Sequence, residues 1–103
     1  MLLEEVKNLL HITWVDDATD NNLNGFISRG KARLQKIAGV SLDFDAEELP
    51  KALLFDYVRY ANSQALEMWE KNFASELMSL HIQSLVDAEE EVVLWKLKQM
   101  WNL

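Results

Sequence analysis

His11 and His81 are the side chains of this sequence best suited to acid–base or metal chemistry at neutral pH. They lie far apart and form no H-x-x-x-H or H-E-x-x-H pattern, so zinc would need unaligned carboxylates to complete its shell. Both read as surface or capping residues. The neighbouring carboxylates Glu4 and Glu5, Asp16 and Asp17, and Glu47 and Glu48 are weak general acid–base couples. Neighbours on a helix point about 100° apart, so these pairs read as caps and solvated faces. There is no cysteine, which excludes disulfides, thiolate metal sites and thiol nucleophiles. Gly25 and Gly30 stand apart and lack the Lys and Ser/Thr of a phosphate loop. With no catalytic motif left, we expect a protein that is not an enzyme and takes no cofactor.

Two groups of residues carry interaction chemistry instead. Arg29, Lys31, Arg33 and Lys36 gather in one short stretch, and Arg29, Arg33 and Lys36 recur at i, i+4, i+7 on one helix flank. They fit a solvated face that offsets acids elsewhere in the fold. They also fit, as the second reading, a patch for an acidic neighbouring subunit or a DNA backbone. The second group is the tryptophans. Trp14 reads as core filling. Trp69 reads as an interface anchor. Trp95 and Trp101 fit core and interface equally well.

The elements that must position these groups are helices. The chain has 103 residues, 50% of them hydrophobic, which is one domain with enough apolar material for a core. One Pro and three Gly argue for long helices and few hairpins. Leu2 to Leu10 reads as a short helix with Leu3, Val6 and Leu10 on one face. Asp16 and Asp17 supply the start of the next helix, which runs from Asp17 to Ala38. Its Leu23, Phe26, Ile27, Gly30, Leu34, Ile37 and Ala38 form one stripe. Gly30 lies in that stripe and is expected to admit a second helix closely. Gly25 lies off it and only weakens the helix, and Gly39 stands where a terminating glycine belongs.

A third helix is expected to start between Ala46 and Pro50 and to continue to about Glu70. Asp45 and Glu48 have the capping-box offset, and Pro50 suits a first turn. Leu49, Leu53, Tyr57, Tyr60, Ala61 and Met68 form its core face, while Phe55, Leu66 and Trp69 form a second apolar face. Asn72 can cap a shorter fourth helix with Phe73, Leu77 and Leu80 inside. Leu80 to Gln83 alternates and reads as extended, and Asp87 to Glu91 reads as a solvated link or a helix start. Residues 92–103 fit a helix through Val93, Leu97, Met100 and Trp101, which we favour over a strand. The expected fold is all-α: a small helical bundle over residues 1–86 with one long central helix and room for a short extended segment near the C-terminus. Residues 87–103 are expected to be a docking segment.

Seventeen acidic against ten basic residues give a net charge of −7, a poor basis for wrapping free nucleic acid. No apolar run approaches the roughly 18 residues of a spanning helix. Glu4 and Glu5 replace the positive start of a signal peptide. A soluble, cytosolic protein without a membrane partner is therefore expected. Surplus apolar surface without catalytic groups points to assembly.

The order of these elements carries a resemblance. It rests on the opening Leu2-Leu3-Glu4-Glu5-Val6-Lys7-Asn8-Leu9-Leu10-His11-Ile12 and the acidic cap Asp16, Asp17 and Asp20. It continues through Leu23, Phe26 and Ile27 to Ile37-Ala38-Gly39, then Leu49-Pro50, then the stretch from Ala65 to Phe73 with Ser75-Glu76-Leu77. Over roughly residues 2–85 the chain resembles the head–tail connector proteins of tailed bacteriophages, also called head-completion or adaptor proteins, found in phages and prophages of Gram-positive bacteria. The resemblance implies a structural protein of the virion, placed at the head–tail interface after assembly in the host cytoplasm. Such proteins form a ring beneath the portal protein, some only once they meet it. The ring extends the channel through which packaged DNA passes without specific binding, and it receives the next head-completion or tail protein. On that reading Phe55, Leu66 and Trp69 are candidate subunit contacts, and Arg29, Arg33 and Lys36 pair with acids of the neighbour. Trp95, Leu97, Met100 and Trp101 are the candidate portal-docking residues. The alternative is an acidic regulatory binding module that mimics DNA or caps a DNA-binding partner, which requires acids spaced like phosphates along one surface.

Overall fold

The computed structural model describes residues 2–101, and the regular structure in them is helical throughout. Five helices follow one another: α1 (Leu2–Leu9), α2 (Asp17–Ala38), α3 (Leu49–Asn62), α4 (Leu66–Asn72) and α5 (Ala74–Trp101). The expected all-α bundle is present. Its long helix is the C-terminal α5, of 28 residues.

Chemistry at both ends sets the limits of α2. The Asp16 side chain accepts from the backbone N–H of Thr19 at 3.3 Å and from its hydroxyl at 2.7 Å. Those bonds, the hydroxyl's first, hold the Asp16 carboxyl below its usual pKa. At the other end Gly39 adopts φ 79° and donates to the Gln35 carbonyl, ending the helix in a left-handed turn. Between them Leu23, Ile27, Gly30, Leu34 and Ala38 are buried, as the stripe predicts. Gly30 lets α3 approach: a Cβ there would lie 2.7 Å from Leu54 Cδ1 and 2.8 Å from Tyr57 Cδ1. The core joins these residues to Val6, Leu53, Leu54, Tyr57, Val58, Trp69, Leu77 and Leu80.

The third helix does not run to Glu70. It ends at Asn62, and Gln64 takes φ 58°. The Ala65 N–H then reaches back to the Tyr60 carbonyl at 2.9 Å, and that of Gln64 to Ala61 at 3.1 Å. These two bonds are the Schellman pattern that closes a helix. A second such closure ends α1, with His11 at φ 59° and the Ile12 N–H bonded to the Lys7 carbonyl at 2.8 Å. The capping box at Asp45 and Glu48 does not form. Glu48 occupies the N-cap without a side-chain bond, and the Asp45 N–H turns to the Asp43 carboxylate instead. Pro50 sits in the first turn of α3 as expected.

The stretch Leu80 to Gln83 is helical, inside α5. Leu77, Leu80 and Ser84 recur on the face that meets the bundle, and all three are buried. That spacing outweighs the local alternation. Lys51 supplies an unexpected buried cation. Its ammonium lies 2.6 Å from Glu5 of α1, bonds also to Glu47, and sits 5.6 Å above the Phe55 ring. Hydrogen bonds to Glu47 and Glu5 raise its pKa above the ordinary lysine value.

Candidate assembly surface

The α5 helix divides into two halves. The first half is anchored: Leu77, Leu80 and Ser84 face the core, and the His81 Nδ1–H donates to the Ile37 carbonyl at 2.8 Å. Ala88 is the last residue with partial cover; from Glu89 to Met100 every residue is exposed. The helix keeps going because each further residue adds a backbone hydrogen bond to a helix already nucleated. A helix of this length measures roughly 42 Å, which accounts for a molecule of 61 × 28 × 18 Å.

Past the exposed Glu89, Glu90 and Glu91, the projecting half is apolar on every side through one full turn. Val92, Val93, Leu94 and Trp95 are successive, so at about 100° per residue they point in four directions. They are 52%, 54%, 61% and 62% exposed. A helix that is apolar all round belongs inside a larger structure. Leu97 and Met100 extend the same surface, and Lys96 and Lys98 are its charges. The Trp101 side chain lies outside the described residues. The remaining candidate docking residues, Trp95, Leu97 and Met100, thus stand together on one free helix end. The outer face of the anchored half adds Met78, Ile82, Leu85 and Val86, all exposed.

At the base of this projection lies a groove of about 520 Å³. One wall is the α2–α3 connection with Leu42, Asp43 and Glu48; the other is α5 from Leu80 to Glu91. The Gln35 side chain holds the connection in place by accepting from the Leu42 N–H at 3.0 Å.

The other candidates fare differently. Trp69, read as an interface anchor, is 1% exposed and packs edge-on against Tyr57 at 5.0 Å. The break at Gln64 redirects α4, which turns Trp69 into the core; the two-faced reading assumed one unbroken helix. Phe55 and Leu66 are half-buried against the same core. Trp14, expected inside, is 55% exposed in the irregular connection between α1 and α2. Of the basic flank, Arg33 is engaged within the chain: its Nε donates to Glu70 of α4 at 2.7 Å. Arg29 lies 5.3 Å above the Phe26 ring, and Lys36 is exposed.

Among the described residues no three His, Asp or Glu side chains converge as a metal site requires. None of the helices there is long and apolar enough to cross a membrane. No protein-family model, curated protein or solved structure matches this chain.

Proposed function

We propose that this chain is a structural assembly subunit and, following its resemblance, a head–tail connector. It would form a ring beneath a phage portal, extend the DNA channel, and receive the next head-completion or tail protein. The observation that carries the reading is the free apolar half of α5. A monomer gains nothing from six exposed Val, Leu, Trp and Met residues, Val92 to Trp95 with Leu97 and Met100, whereas a docking element needs them. In this reading Trp95, Leu97, Met100 and Trp101 meet the portal, and Phe55, Leu66, Arg29 and Lys36 lie toward neighbouring subunits. Virion localisation follows from the same proposal.

The connector is favoured over a DNA mimic by where the carboxylates are engaged. Asp20, Glu70, Glu5, Glu47 and Asp56 all pair with cations of this chain. These five are engaged within the chain and add nothing to a phosphate-like row. Affinity capture from cells assembling the particle, read by mass spectrometry, tests the proposal. Recovery of a portal or head-completion protein supports it. Recovery of a polymerase, nuclease or repressor without any portal overturns it.

A further inference from the structure

The groove at the base of the projection and the projection itself are complementary. The groove floor is apolar, built from Leu42, Leu49, Pro50 and Leu80, and Ser84 and Ala88 keep its α5 wall low. Its rim carries Asp43, Glu48, Asp87 and Glu91, and no lysine or arginine lines it. An occupant must therefore be apolar with positive charges. Residues 92–103 have that composition: Lys96 and Lys98 are their only charged side chains, and no acid follows Glu91. The projection cannot enter its own groove. It continues the same helix that forms the groove wall, and each residue carries it about 1.5 Å further away.

We infer that the C-terminal half of α5 from one copy of this chain occupies the acidic groove of a second copy. Val92 and Trp95, three residues apart on one helix face, lie on the apolar floor, and Lys96 and Lys98, which flank Trp95 on either side, meet the rim carboxylates. The contact joins two different surfaces, so it propagates from copy to copy or closes into a reciprocal pair or ring. It requires nothing but this chain; where the connector reading also holds, Trp95 goes to the neighbouring copy and the opposite side of the helix, with Leu97 and Met100, is left for the portal.

Sedimentation velocity of the full chain over a concentration series tests it, together with two double variants. One spoils the projection (Trp95→Glu with Lys98→Glu); the other spoils the groove (Glu48→Lys with Asp87→Lys). All four side chains are exposed, so circular dichroism should show unchanged helix content. The wild-type chain should self-associate, more weakly as salt rises. Each variant alone should associate at least about thirtyfold more weakly, the effect of losing a Trp anchor or its charged rim. An equimolar mixture should form a complex again, because one variant keeps its groove and the other its projection. A wild-type chain that stays monomeric to about 1 mM, the weak end of specific binding, overturns the inference. So does a variant that still associates, or a mixture that stays monomeric.

Discussion

Alanine at Gly25 and at Gly30 should move stability in opposite directions, although the two positions share one helix and differ by five residues. Each substitution gains the same helix preference, about 1 kcal/mol for Ala over Gly. At Gly25 the new methyl meets only the end of the Arg29 side chain at 3.4 Å, so nothing opposes the gain. At Gly30 it arrives 2.7 Å from Leu54 Cδ1, 2.8 Å from Tyr57 Cδ1 and 3.2 Å from Tyr57 Cγ. Carbon atoms prefer about 3.5–4.0 Å, so α2 and α3 must part or Tyr57 must tilt. Tyr57 is held by the Trp69 ring, 5.0 Å away and nearly perpendicular. Overpacking of this kind costs about 1–3 kcal/mol. The net expectation is a gain of about 0.5–1 kcal/mol for Gly25→Ala and a loss of up to about 2 kcal/mol for Gly30→Ala. Urea unfolding by circular dichroism measures both, and near the melting temperature each kcal/mol corresponds to about 4–8 °C. Because helix preference cancels between the variants, their difference isolates the α2–α3 contact. A Gly30→Ala variant as stable as Gly25→Ala would refute the close approach on which this packing rests.

Other predictions follow from burial and backbone conformation. Trp69→Ala should cost about 3–5 kcal/mol, as removal of a buried aromatic does. Trp95→Ala, measured on dilute monomer, should stay within about 0.5 kcal/mol; equal losses in denaturant titrations would contradict the division of α5. The folded state binds the Lys51 proton more tightly than the unfolded chain, so its contribution is full below the ordinary lysine range, about 10.4, and is lost as pH rises through the raised folded value. Melting temperature should therefore drop above that range, and this drop should be absent in Lys51→Met. His11→Gly should stabilise by up to about 1 kcal/mol, because an L-residue in the left-handed region carries that cost. A thermal melt unchanged or lowered in this variant would argue against the closure of α1 at φ 59°.

What the sequence reveals here depends on whether a feature is written in residue type. Both ends of α2 were legible because Asp16 and Gly39 are the residue types that caps favour. The end of α3 uses the same left-handed closure but places glutamine there, and nothing in a glutamine signals it. The missed break then misassigned Trp69, since a face drawn on one continuous helix has no meaning across a turn. Lys51 was invisible for a different reason: its partner Glu5 comes from another helix, and lysine is ordinarily a surface residue. Of the candidate assembly residues, Trp95, Leu97 and Met100 stood out as a tail rich in Trp, Leu and Met, but residue type did not decide between core and surface for Trp95; its exposure comes from where α5 projects. The groove was not, because its two walls are separated in sequence by all of α3 and α4.

The exposed end of α5 also bears on the kind of assembly to expect. Fully burying a large apolar side chain stabilises by about 1.5–3 kcal/mol. Val92, Val93, Leu94, Trp95, Leu97 and Met100 are each roughly half exposed or more. Covering them would gain about 5–9 kcal/mol if half of their surface were removed from water. Association costs about 4–15 kcal/mol before any gain appears. A single copy-to-copy contact is therefore close to balance, and an isolated pair held by one such contact would be short-lived. Closing the contacts on themselves changes the balance, because the final contact joins copies that are already held together and its entropy cost is largely met. The same reasoning applies to a second protein that grips the projection from outside while the groove grips it from within. A surface that associates weakly between free copies but strongly once templated would keep a subunit mostly dispersed at low concentration until its partner presents a ring of sites.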